Sequence, residues 1–192
     1  MNSPFQTGVP AAYGGEPRFL LARAVQALRD GVQAQPAGER FGGLLVGPTG
    51  AGKSSVAAWA VRRWHARVNS EAGIARWGAP DHRADGRVAW LDALEATDAE
   101  RRYKLGSGDP EELAQAYRAD WLVLDDVGLS SSANLMQLVL ARRYQSCLPT
   151  IVTSGLTPEQ LSAHIGAASV RRVVEWQGQP GLFVNCHGKA AA

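Results

Sequence analysis

Apolar residues occur along this chain in two kinds of run. Five short runs are nearly unbroken: GLLVG (43–47), RVAWLDA (87–93), WLVLDD (121–126), PTIVTS (149–154) and GLFVN (181–185). Runs of this length and composition predict strands buried on both faces. Between them lie longer stretches with apolar residues at three- and four-residue spacing, which predicts helices. These are PRFLLARAVQALRDGV (17–32), KSSVAAWAVRRWHARVN (53–69), EATDAERRYKLG (95–106), DPEELAQAYRA (109–119), SSANLMQLVLARRYQS (131–146) and a mostly helical TPEQLSAHIGAASVRRVVEW (157–176). Thr157 is a predicted cap with Pro158 in the first turn. Residues 70–86 read as a loop, and Gly106, Ser107 and Gly108 split two helices. Strands alternating with helices predict an α/β domain around a five-stranded parallel sheet.

Composition bounds this picture without changing it. The chain has 192 residues, 45% hydrophobic and 20% charged, with a formal net charge of +2. One compact domain over residues 17–186 fits that length, with a flexible Gly- and Pro-rich tail at 1–16 and a short tail at 187–192. The start lacks the charged-then-apolar pattern of a signal peptide, and no window is long and apolar enough to span a membrane. Cys147 and Cys186 lack metal-type spacing and read as reduced thiols of a cytoplasmic protein. His164 and His187 have no ligand spacing, and Trp59 and Trp64 read as packing residues. The basic clusters Arg62/Arg63/Arg67, Arg101/Arg102/Lys104, Arg142/Arg143 and Arg171/Arg172 are either solvated helix faces or contacts to nucleic acid.

The chemistry concentrates at the ends of the predicted strands. Gly47, Pro48, Thr49, Gly50, Ala51, Gly52, Lys53 and Ser54 match G-x-x-x-x-G-K-[ST], followed by Ser55. A strand precedes the motif and a helix follows it, as a phosphate cradle requires. Glycines let successive amides turn toward phosphate oxygens, and the helix start adds its positive end. Lys53 is placed to reach the outer phosphates of ATP and Ser54 to hold Mg²⁺. In WLVLDDVG, Asp125 and Asp126 stand at a strand tip. They either cap the strand or serve the cradle, Asp125 orienting water on Mg²⁺ and Asp126 polarising the attacking water. Thr153 and Ser154 end the next strand, where a hydroxyl either senses phosphate or only leads into the helix cap. In SVRRVVEW, an arginine either lies on the surface or reaches a neighbouring subunit's nucleotide.

Taken in order, GPTGAGKSS, LVLDDVG and PTIVTSGLTPEQL resemble the AAA+ P-loop ATPases of the DnaC-type helicase loaders and the related IstB-type transposition helpers. The likeness runs over residues 17–186. It implies a three-layer AAA+ domain, here without a helical lid, and slow Mg²⁺-dependent ATP hydrolysis. It also implies an oligomer with ATP between subunits. Asp125 and Asp126 fall at the Walker B positions, with aspartate where many members have glutamate. Ser154 falls near the sensor position, with Gly155 where the family often has Asn. Arg172 is the best match for the arginine finger, with Arg171 the alternative. The implied partners are single-stranded DNA and a replicative helicase, or a transposase on duplex DNA in the alternative reading. A nucleotide-binding module that docks a protein and hydrolyses weakly is a further alternative. The loaders' helicase-gripping N-terminal domain has no counterpart, so residues 1–35 or a second protein would supply the grip. In the replication-initiator branch, helices after the second strand touch single-stranded DNA. That segment here holds Arg101, Arg102, Tyr103 and Lys104, which either contact DNA or belong to a solvated helix balanced by Glu95, Asp98 and Glu100.

Overall fold

The computed structural model describes residues 42–68, 88–103, 109–176 and 179–186. The expected tails at 1–16 and 187–192, the helix at 17–32, the whole loop at 70–86, Lys104, the break at Gly106, Ser107 and Gly108, and His187 lie outside the described residues, as do the side chains of Arg63, Trp64 and Arg67.

Strand β1 (Gly43–Val46) leads through the glycine loop into helix α1 (Lys53–Val68). Strand β2 (Val88–Asp92) runs directly into α2 (Ala93–Arg102), followed by α3 (Glu111–Arg118) and β3 (Trp121–Asp125). Then come α4 (Ala133–Gln145), β4 (Thr150–Ser154), α5 (Pro158–Ile165) and α6 (Ala167–Val174). A ribbon of β5 (Glu175–Trp176) and β6 (Gln179–Pro180) precedes β7 (Leu182–Asn185). The stretch read as mostly helical at 157–176 is thus two helices and a strand. It breaks at Gly166, whose φ of +83° no helix continues through. The Glu175–Pro180 ribbon has only two residues per strand, too short to show a period of its own.

The five-stranded sheet has the order β2-β3-β4-β1-β7, and each neighbouring pair is parallel. Parallel pairing forces each connection to cross a face, which is why helices cover both. Alternate residues feed two cores. Leu44, Val46, Leu122, Leu124 and Val152 face α2 to α6, meeting Leu113, Leu135, Met136, Val139, Leu161 and Ile165. Leu45, Trp121, Val123, Ile151 and Val184 face α1, meeting Val56, Trp59 and Val61. The expected packing role of Trp59 is met. Each of these side chains contributes about 1.5–3 kcal/mol by leaving water.

Local signals set the helix starts. Thr157 and Gln160 form a capping box around Pro158. Asp92 Oδ1 accepts the amides of Leu94 and Glu95 and caps α2. Thr97, buried on α2, donates to the Ala93 carbonyl and accepts the Ser132 amide at 2.8 Å, tying α2 to the start of α4.

One basic pair departs from the solvated-face alternative. Arg142 is half exposed, lies 4.6 Å over the Tyr117 ring and pairs with Asp109 at 3.1 Å. Arg143 instead is 1% exposed. It donates to the Thr150 hydroxyl and to the carbonyls of Ala116, Ala119 and Pro149. It therefore pins the ends of α3 and α4 to the start of β4.

Candidate functional site

All strands of the main sheet point the same way, so their C-terminal ends share one edge. The chain reverses its order there: β1 lies between β4 and β7, while the next strand, β2, sits at the far edge. A ligand crevice opens at such a reversal. Here it is a cleft of about 420 Å³ lined by Thr49, Gly50, Gly52, Lys53, Ser54, Ser55, Asp92, Asp125 and Asp126.

The glycine loop has the geometry its sequence implies. Gly50 and Gly52 both have φ of +82°, a region L side chains rarely adopt. Gly47 is needed for another reason: a Cβ there would lie 2.5 Å from Cys186 Cβ. Cys186 in turn donates its amide to the Val46 carbonyl at 2.7 Å. Helix α1 begins at Lys53, with the Val56 amide bonded to the Gly52 carbonyl at 3.0 Å. Its first-turn amides and positive end face the cleft. Lys53 Nζ arches over the loop and donates to the carbonyls of Gly47 at 2.9 Å and Pro48 at 3.0 Å.

The acids come from β3. Asp125 is 6% exposed, and its Oδ1 accepts the Ser54 hydroxyl at 2.8 Å and the Thr153 hydroxyl at 2.5 Å. Burial pushes its carboxyl above the usual carboxylate range. The two hydroxyl bonds oppose that rise, and the charges of Asp126 and Asp92 add to it. Asp126 is exposed and has φ of +54°. Asp92 was not singled out from sequence. Its signal is positional: β2 and β3 pair Asp92 with Asp125, so both reach the same edge. Hard oxygen donors from Ser54 and Asp125, beside amides that favour anions, suit magnesium carried on a nucleotide phosphate.

Thr153 and Ser154 diverge by strand parity. Thr153 shares its face with Ile151, toward α1, and its hydroxyl meets Asp125. Ser154 shares its face with Val152, toward the other core. Its hydroxyl donates to the Val127 carbonyl at 2.5 Å and accepts the Leu156 amide at 3.1 Å. Ser154 does not line the cleft.

Arg172 does not line this cleft either. It is half-buried on α6, 5.9 Å from the Tyr144 ring, and borders a separate depression with Asn134, Gln137 and Ser169. Arg171 is exposed and lies 4.0 Å from Glu175. At the end of α2, Arg101 and Arg102 are exposed and lie 3.7 and 3.8 Å from Asp98. Tyr103 is 42% exposed. Among the described residues, no group of His, Cys, Asp and Glu forms a separate metal site, and no helix is long and apolar enough to cross a membrane.

No family model matches the sequence, and no curated protein matches it. Solved structures do match in fold. The crystal structure of the DnaC helicase loader superposes with a TM-score of 0.62 at 18% identity, covering 92% of this chain and 99% of that one. A putative primosome component from Streptococcus pyogenes serotype M3 gives 0.58 at 19% identity, covering 95% and 93%. The replication initiator DnaA bound to AMPPCP and single-stranded DNA gives 0.58 at 17% identity, covering 93% of this chain and 50% of that one. At such identities the likeness is one of fold: this chain has the fold shared by the DnaC helicase loader and the replication initiator DnaA.

Proposed function

We propose that this protein binds ATP with Mg²⁺ in the cleft at the end of β1 and β3, hydrolyses it slowly, and acts in DNA replication. Its role in this reading is that of a cytoplasmic helicase loader assembling on single-stranded DNA. The observation that carries the reading is the convergence of Lys53, Ser54, Asp125 and Asp126 on one cleft beneath the glycine loop.

The division of labour follows from the residues. The loop from Gly47 to Ser55 cradles the phosphates with the amides of Thr49, Gly50, Gly52, Lys53, Ser54 and Ser55, while Pro48 shapes the turn and Ala51 lies between two left-handed glycines. The Gly47 amide is taken by the Ser154 carbonyl and the Ala51 amide by that of Pro48. Lys53 exchanges its two carbonyl partners for phosphate oxygens. Ser54 and Asp125 hold the magnesium, which supplies charge neutralisation on the outer phosphates. Asp126 polarises the attacking water and takes its proton. Ser154 fixes the loop behind Asp126 through the Val127 carbonyl. Arg172 acts on the nucleotide of a neighbouring copy, which makes the active form an oligomer.

The link to DNA is supported by two features. Arg101, Arg102 and Tyr103 are exposed together at the end of α2, where phosphate contact and base stacking are both accessible. Proteins of the same fold include a helicase loader and an initiator bound to single-stranded DNA.

The test is fluorescence anisotropy of labelled single-stranded and duplex oligonucleotides with ATP, with ADP and without nucleotide. The reading predicts ATP-dependent binding to the single strand, weakened roughly tenfold by joint Arg101→Glu and Arg102→Glu substitution. A duplex preference would point instead to a transposase helper. Binding to neither would remove DNA from the account.

A further inference from the structure

Two adjacent acids at the end of β3 have different jobs in the reading above, and both depend on where one hydroxyl sits. Thr153 is fully buried at the end of β4. Its Oγ1 donates to Asp125 Oδ1 at 2.5 Å and accepts the backbone amide of Asp126 at 2.9 Å. Its carbonyl accepts the Val127 amide at 2.9 Å. One residue therefore grips three successive residues of the neighbouring strand end.

The middle one, Asp126, has φ of +54°, a conformation with a cost for any residue bearing a Cβ. Such a conformation persists only where the surroundings over-determine it. The flanking bonds to Asp125 and Val127 and the direct bond to the Asp126 amide provide that. The β-branched side chain of threonine is stiff at χ1, so donor and acceptor directions are fixed together.

We propose that Thr153 is the positioning residue that holds Asp125 and Asp126 as one unit, orienting the first by its side chain and the second by its backbone. The inference rests on the ATPase reading for its catalytic consequence but not for the clamp itself. Thr153 has no reacting atom to touch. It acts by fixing where the two carboxylates stand relative to Lys53 and Ser54.

The experiment compares Thr153→Val and Thr153→Ala, which remove the hydroxyl, with Thr153→Ser, which keeps it. Two quantities are read: steady-state ATP hydrolysis, and exchange of the Asp126 amide hydrogen in nucleotide-free protein. The expected result is a loss of about 10- to 100-fold in kcat for both hydroxyl-free variants, with KM changed less than about threefold. Thr153→Ser retains kcat within about threefold, and Asp126 amide exchange accelerates only where the hydroxyl is gone. Wild-type kcat in the hydroxyl-free variants overturns the proposal. So does an equal loss in Thr153→Ser, which would make the methyl group or packing responsible. Should the wild-type protein itself release no phosphate, the ATPase reading fails separately. The exchange measurement then decides the clamp, and unaccelerated exchange in the hydroxyl-free variant that folds overturns it.

Discussion

Asp125 shows the conflict that a reactive site imposes on a single residue. It is buried beside two other aspartates, and its ionised form is held by two hydroxyls. A carboxyl whose value is raised in the folded state favours its protonated form there. The stability it contributes is present below the ordinary carboxylate range and is lost as pH rises through the raised value. Asp125→Asn keeps the hydrogen-bond acceptor and removes the charge. The variant is expected to melt at a higher temperature than wild type at neutral pH, with the difference shrinking as pH falls toward the ordinary carboxylate range. Thermal melts of nucleotide-free protein across that range check it, and equal melting at neutral pH would contradict the burial argument. The glycine loop and both acids are legible in sequence because each signal is local: a short string of residues carries the whole geometry. Which hydroxyl of Thr153 and Ser154 meets Asp125 is not legible in the same way. β4 is buried on both faces, so no alternation of polar and apolar residues tells one face from the other. Only the register does. Leu124 pairs with Val152, and the next residues along, Asp125 and Thr153, leave the sheet side by side.

At the scale of elements, the alternation of unbroken apolar runs with helical periodicity places all five strands of the main sheet and the helices from α1 to α5 close to their observed positions. The errors lie where one residue decides the outcome. Gly166 ends α5 and begins α6, and its positive φ is invisible to a periodicity that continues across it. Arg143 follows Arg142 in a basic pair, but the two point about 100° apart on α4. One reaches solvent and the other the core, where it satisfies carbonyls at the ends of two other elements. Replacing it strands those acceptors. Arg143→Met is expected to destabilise the domain by about 3 kcal/mol or more, since each buried unpaired group costs about 1–3 kcal/mol. Urea unfolding measures this, and a loss below about 1 kcal/mol would show that α3 and β4 hold their positions without it. Arg142→Met, which loses one exposed pair and a ring contact, is the control and should cost about 1 kcal/mol or less.

For the whole molecule, the distribution of the site is the informative feature. The cradle and the acids share one cleft, whereas Arg172 borders a different depression between α4 and α6. In the proposed reading a second copy completes the site across that separation. The specific activity of the wild-type protein should then rise with protein concentration as subunits associate. Arg172→Ala should lower kcat by about 10³-fold while leaving nucleotide affinity unchanged, because the residue acts on a neighbour's transition state. A drop in affinity in dilute, monomeric protein would contradict a role in trans. The two arms can be read in one titration of hydrolysis and nucleotide binding against protein concentration.

Phosphate release from ATP by the wild-type protein and by Lys53→Ala, in the presence of Mg²⁺, tests the central claim most directly. Lys53 arches over the glycine loop from the start of α1 and donates to the carbonyls of Gly47 and Pro48. The account predicts slow but measurable release by the wild-type protein, dependent on Mg²⁺, and none above background for Lys53→Ala. Release that survives the substitution, or a wild-type protein that binds ATP and releases no phosphate, would contradict the account of this cleft as a working ATPase.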